Sequence, residues 1–232
     1  MGLKSSLDEI LKNIERAKRN IFTKKDVILV AATKTRSFNQ ISEVYSLGIR
    51  HIGENRIQEA EGKFESFEKM PKITRRFIGH LQSNKINKFT KLFDTIDSID
   101  SFKLANKINT RIERHKLTGL IEVNTSGDKN KNGFKPELSD ELIQCLYLNN
   151  LNINGLMTLG PFSQDPSETR KAFVGLRKFL DIVNKEIGSE KLTHLSMGMS
   201  GDYTIAIEEG STMVRVGTVS YTHLTLPTNR EV

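Results

Sequence analysis

Short apolar blocks, each followed by a longer amphipathic stretch, repeat along the whole chain. The first, 27–33 (VILVAAT), is β-branched at its start and has the length of a strand buried on both faces. Comparable blocks stand at 49–53 (IRHIG), 75–79 (RRFIG), 93–97 (FDTID), 118–124 (TGLIEVN), 152–158 (NINGLMT), 192–197 (LTHLSM) and 212–217 (TMVRVG). Ahead of them Leu3, Leu7, Ile10, Leu11, Ile14 and Ala17 recur at helical spacing among charges, predicting an amphipathic N-terminal helix. Between the blocks the 3.6-residue pattern predicts helices over 55–69, 83–91, 101–115, 137–149, 167–187 and 202–209. Ser83, Asp100 and Pro166-Ser167-Glu168 supply start signals, and Gly48, Gly188 and Gly210 stand where helices should stop.

Alternation of strand and helix argues for a parallel sheet with crossover helices. Eight strand blocks in 232 residues suit a compact single (β/α)8 TIM barrel with an extra N-terminal helix. An open doubly wound sheet is the alternative, but it usually carries a glycine fingerprint after its first strand. The corresponding segment here, ATKTRS, has no glycine. No linker, repeat or low-complexity stretch marks a second domain.

Composition narrows the picture without deciding it. Hydrophobic residues make up 37% and charged residues 27%, as in a globular protein with a substantial core. The net charge of +7 is spread along the chain. Its densest patch, Lys129 to Lys135, lacks a nucleic-acid-binding motif and reads as a solvated face. Cys145, the one cysteine, lies in the apolar helical pattern ELIQCLYL and is expected to be a buried structural thiol. No apolar run is long enough to span a membrane, and the N-terminus has no signal-peptide block. MGLKSS fits a loose myristoylation pattern, but the amphipathic helix accounts for the same residues. A reducing cytoplasm is the expected compartment. Residues 128–133 (DKNKNG) match half of a calcium loop, yet Ser139 stands where a bidentate glutamate is needed. The five histidines show no zinc spacing.

In a barrel of this type the C-terminal ends of the strands face one common site. Here those ends read Lys34; Gly53-Glu54-Asn55; Gly79-His80; Asp97-Ser98; Asn124; Met157; Met197-Gly198-Met199-Ser200-Gly201-Asp202; and Arg215 with Gly217-Thr218. Strands 7 and 8 commonly hold phosphate in this fold, and MGMSGD and GT supply glycines, a hydroxyl and backbone donors. Lys34, on strand 1, adjoins strand 8 once the barrel closes. A phosphate beside a lysine is the geometry for pyridoxal phosphate, with burial expected to favour the neutral amine. A lysine snorkelling to the surface is the bland alternative for Lys34 taken alone.

The segments ATKTRS, HIGENRIQE, RRFIGHLQSNK, SIDS, VNTSGDKNKNGF, GLMTLG and LSMGMSGDYTIAIEEGSTMVRVGT resemble, in order and spacing, the pyridoxal phosphate homeostasis protein family. The resemblance covers nearly all of residues 5–218. It implies a barrel like the N-terminal domain of alanine racemase (PLP fold type III), carrying pyridoxal 5′-phosphate as a Schiff base. By resemblance Lys34 is the Schiff-base lysine. Ser200, Gly217 and Thr218 match phosphate-binding positions, Arg215 the residue facing the pyridine nitrogen, and Asn55 and His80 polar positions lining the site. An arginine there disfavours protonation of the ring and makes it a weaker electron sink. Alanine racemase adds a tyrosine from a second domain. Among Tyr45, Tyr147, Tyr203 and Tyr221, only Tyr203 is expected near the site.

The implied role is non-catalytic: binding and delivering the cofactor, with apo PLP-dependent enzymes as partners, and keeping vitamin B6 in balance. A monomer is expected, with no nucleic-acid or membrane partner. A fold-type III amino-acid racemase or decarboxylase is the alternative, and a cofactor-free Schiff-base aldolase using Lys34 a third reading. Where the family continues with an apolar closing segment, residues 219–232 read VSYTHLTLPTNREV, an atypical tail expected not to be native.

Overall fold

The computed structural model describes residues 2–19, 26–64, 67, 70–112, 117–163 and 165–217; Thr218 and the 219–232 tail lie outside them. Eight parallel strands close into a barrel: β1 (Ile28–Ala32), β2 (His51–Glu54), β3 (Thr74–Phe77), β4 (Thr95–Ile99), β5 (Leu117–Glu122), β6 (Leu151–Met157), β7 (His194–Ser196) and β8 (Met213–Val216). Each begins and ends within two residues of an apolar block identified in the sequence. The seam pairs Ile28 with Met213, Leu29 with Val214, Val30 with Arg215 and Ala31 with Val216.

Helices α1 (Leu3–Lys18), α2 (Phe38–Ser46), α3 (Ile57–Phe64), α4 (Ile86–Leu92), α5 (Phe102–Asn109), α6 (Asp140–Leu146), α7 (Pro166–Glu186) and α8 (Tyr203–Glu208) accompany them. The α2 helix was not anticipated, although its capping box was legible: the Ser37 side chain accepts from the Gln40 amide while the Gln40 side chain accepts from the Ser37 amide. Its stop is Gly48, at φ +98. Two start signals moved. Ser101, rather than Asp100, caps α5 by accepting from the Leu104 amide. Ser83 opens a short 3-10 turn, Ser83–Lys85, that precedes α4.

Burial sorts the side chains into an outer layer and a barrel plug. Val30, Leu120, Met157 and Met213 cluster together with partly buried Ile28. On β1 the alternate residues Leu29 and Ala31 instead join Val214 and Val216 under Leu3, Leu7, Ile10, Ile14 and Ala17 of α1. So α1 covers the β1–β8 seam, and Leu11, of the expected apolar face, stays exposed. On the far side Phe64, Phe77, Phe89 and Phe93 make edge-on and stacked contacts 5.2–5.7 Å apart. Cys145 is buried on α6 and burial pushes its thiol up to about 12, in line with a structural role.

Charge also enters the barrel wall. Arg76 and Asp97, both buried, form a bidentate pair at 2.7 and 2.8 Å. His51, on β2, has its Nδ1 buried without a hydrogen-bond partner. Burial first, then the charge of Arg76, pushes its imidazole from 6.5 down to about 4; Asp97 opposes and His194 adds slightly. Between those two values the unfolded chain binds the proton and the folded chain does not. Stability is therefore complete above pH 6.5 and is lost as pH falls toward 4. A His51→Gln variant should lose less stability than the wild type between pH 7 and pH 5, read as urea midpoints at the two values.

Candidate cofactor site at the barrel mouth

Lys34 follows the inward-facing Ile28, Val30 and Ala32 at the same two-residue spacing, on a turn that closes with the Arg36 amide donating to the Thr33 carbonyl at 3.0 Å. That turn lifts the lysine onto the rim. Lys34 is exposed, so the expected burial of its amine is not supplied by the protein itself. Thr35, next to it, has φ +60, a left-handed value that a β-branched residue rarely adopts.

Arg215, in contrast, is almost wholly buried. It donates to the Ser196 carbonyl and hydroxyl at 2.9 and 2.7 Å and to the Thr158 carbonyl at 2.9 Å, bracing β8 against β6 and β7. Burial lowers its pKa from the usual arginine range, opposed by Asp97, Asp202 and Glu122. Its amide donates to the Gly198 carbonyl at 3.0 Å, fixing the β7–α8 loop to β8.

Two of the expected phosphate positions meet: the Gly217 amide donates to Ser200 Oγ at 3.1 Å. The β7–α8 loop that carries Ser200 depends on Gly198, at φ +97, where an added Cβ would lie 2.6 Å from Ala206 Cβ and 2.9 Å from Tyr203 Cα. That close approach lets α8 start directly behind the loop. Asn55 is exposed at the end of β2, and the tight approach of Gly79 to its carbonyl draws the ends of β2 and β3 together. His80 pairs through Nδ1 with Asp100 Oδ2 at 3.0 Å, with Asn132 Nδ2 3.3 Å away. A cavity of about 610 Å³ opens beside Asn55, Gly79 and His80, toward α3; Lys34, Ser200, Arg215 and Gly217 do not line it.

Other expectations at the strand ends changed. Tyr203 is buried on the outside of the barrel, and its hydroxyl accepts from Asn13 of α1 at 3.1 Å. It faces the helix layer because the loop held by Gly198 turns α8 outward. Asn124 serves its own loop, donating to the carbonyls of Asp128 and Lys131 at 2.7 and 3.2 Å. Met157 belongs to the barrel plug. Among the described residues no group of three or more His, Cys, Asp or Glu could hold a metal ion. Sequence reading passed over Glu122, at the inward end of β5 two residues beyond Leu120. It is buried, and burial raises its carboxyl above the usual range; Asp100 adds, while Arg215 and His80 oppose. The alternation in TLE at 118, 120 and 122 was the available signal.

The donor set fits a phosphorylated aromatic aldehyde. A primary amine stands on the rim, loop amides and a hydroxyl gather between β7 and β8, and a fixed guanidinium crosses the floor. The closed parallel barrel is of the alanine racemase N-terminal type: the alanine racemase, N-terminal domain family matches residues 5–224. The pyridoxal phosphate homeostasis protein of Synechocystis sp. is 41% identical over 84% of this chain and 90% of its own length. PipY of Synechococcus elongatus PCC7942, whose structure was solved with PLP bound, superposes with a TM-score of 0.81 at 32% identity, covering 95% of this chain and all of that one. Alanine racemase of Clostridium difficile 630, at 20% identity, shares the fold with a TM-score of 0.68 over 96% of this chain and 57% of its own. The chain belongs to the pyridoxal phosphate homeostasis protein family.

The Gly198 backbone makes a direct test of the loop. Gly198→Ala should cost more than about 1 kcal/mol in urea unfolding, since it combines a clash with an unfavourable φ. Gly175→Ala, in α7 with open space around it, should instead stabilise by roughly 0.5–1 kcal/mol.

Proposed function

We propose that this chain binds pyridoxal 5′-phosphate covalently through Lys34 and serves to hold and deliver the cofactor, keeping vitamin B6 in balance, rather than to run a reaction on it. The reading is carried by one arrangement: a rim lysine with the Ser200–Gly217 pair and buried Arg215 on the neighbouring strand ends. Bound pyridoxal phosphate would supply an aldehyde that condenses with amines and a ring that withdraws electrons from the product.

Lys34 Nζ is the amine that would take the aldehyde. Loop amides around Ser200, with Gly217 and Thr218, would hold the phosphate. Arg215, pinned by Ser196 and Thr158, would face the ring nitrogen, and because an arginine keeps its proton it would leave that nitrogen unprotonated. The ring would then withdraw electrons weakly. Asn55 and His80, with Asp100 behind it, would line the opposite edge.

Among the described residues the tyrosines support holding rather than racemisation, which needs a second base opposite the lysine; Tyr221 lies outside those residues. Tyr45 donates to the Pro71 carbonyl at 2.9 Å, Tyr147 is exposed at the end of α6, and Tyr203 is engaged by Asn13. The PLP bound in PipY supports cofactor binding, and the names of the curated relatives, pyridoxal phosphate homeostasis proteins, support holding. Delivery would be to enzymes that require the cofactor.

Added pyridoxal phosphate should give a visible absorption band with the wild type and none with Lys34→Ala, and borohydride should fix the added mass on Lys34. With the cofactor loaded, the α-proton of an amino acid should not exchange into deuterated water at a useful rate. Steady exchange would favour the racemase reading.

A further inference from the structure

The turn that carries Lys34 is strained, and both of its flanks are tied to one side of the barrel. Thr35, at φ +60, is a β-branched residue in left-handed backbone, a conformation that surrounding structure must enforce. Its amide donates to Glu59 Oε2 of α3 at 3.0 Å. On the other flank, Lys63 of α3 donates to the Thr33 carbonyl at 2.9 Å and to Glu54 Oε1 at 2.7 Å. Thr33 Oγ1 donates to the same Glu54 oxygen at 2.6 Å. Glu54 is fully buried, and its second oxygen has no hydrogen-bond partner. A buried carboxylate with one orphaned oxygen is costly, as is a left-handed threonine, and neither fills the core. One cost falls on Thr35, next to Lys34, and the other on Glu54, which holds Thr33 on the other side of it.

We propose that Glu54, Glu59 and Lys63 are positioning residues for Lys34: they hold Thr33 and Thr35 so that the amine is presented to an aldehyde bound at the mouth. The inference rests on the cofactor reading above. Glu59 is the most informative of the three, because it is partly exposed and meets the turn at the Thr35 amide. Its carboxylate enforces a backbone conformation that glycine would adopt unaided. Removing the strain should therefore remove the need for Glu59.

The experiment is pulse labelling with pyridoxal phosphate followed by borohydride, scored by peptide mass as the rate at Lys34 relative to exposed Lys171 on α7. Wild type, Glu59→Gln, Thr35→Gly and the Thr35→Gly/Glu59→Gln double variant are compared. Glu59→Gln should slow labelling of Lys34 about tenfold, part of the ~10²-fold that a full 1 Å misplacement of a reacting group can cost. The double variant should label as fast as Thr35→Gly alone, a non-additive pair. Inorganic phosphate should protect Lys34 with the same half-saturation in all four, since the β7–α8 loop is untouched. A Glu59→Gln rate within twofold of wild type, or effects that simply multiply in the double variant, would overturn the proposal. A changed half-saturation for phosphate would do so too, by showing general damage. Should wild-type Lys34 label no faster than Lys171, the cofactor reading itself fails, and this inference with it.

Discussion

Pairing of β1 with β8 is the contact on which everything else rests. Parallel strands leave a row of unpaired backbone groups at each edge of an open sheet, and closure removes both edges. In this chain the closing register sets Val30 opposite Arg215 and Ala31 opposite Val216. It thereby brings the turn after β1, with Lys34, alongside the turn after β8, with Gly217. Residues separated by most of the sequence become neighbours through main-chain hydrogen bonds alone. The α1 helix protects this seam, burying Leu3, Leu7, Ile10, Ile14 and Ala17 over Leu29, Ala31, Val214 and Val216. That burial is hydrophobic and non-directional, so it adds stability to the closure without dictating its register.

The barrel interior is unusual in how much charge it tolerates. Arg76 and Asp97 satisfy one another in fork geometry, and Arg215 finds three acceptors. Glu122, inside the barrel, and Glu54, which faces α3 from the outer side of β2, are less well served, and burial raises both carboxyls. For Glu54 that desolvation outweighs the Lys63 and Thr33 bonds that favour its charged form. Such groups sit toward the C-terminal ends of their strands, while the plug formed by Val30, Leu120, Met157 and Met213 is apolar. A stable plug and a polar, partly strained mouth divide the work between packing and chemistry.

The strands were legible because each is a compact apolar block with glycine or polar residues at its end, and a parallel sheet buries both faces of such a block. The helix over 38–46 was missed although Phe38, Ile41, Val44 and Tyr45 recur at helical spacing; it is only nine residues long, and its cap carried the clearer signal. At the mouth, Lys34, Ser200, Arg215 and Gly217 were legible from their positions at strand ends. What sequence could not convey was exposure and direction. Lys34, two residues past β1, lies on an exposed turn closed by the Arg36 amide and the Thr33 carbonyl, and Tyr203 points outward because of the bend at Gly198. The network joining Thr33, Glu54 and Lys63 links a strand end to a helix face, and no spacing rule reveals a contact of that kind.

Cys145 has a consequence for chemistry elsewhere in the molecule. Aldehydes react with thiols as well as amines, and oxidants and alkylating agents find thiolates first. The chain has a single thiol, and it lies on the buried face of α6, where burial pushes it up to about 12. The sulfur therefore offers no competing nucleophile to an electrophile captured at the rim. Selectivity between the two kinds of nucleophile is thus built in by burial of one and exposure of the other. A cysteine introduced anywhere on the surface would be the only reactive one, giving a chemically silent background against which a single label could be read.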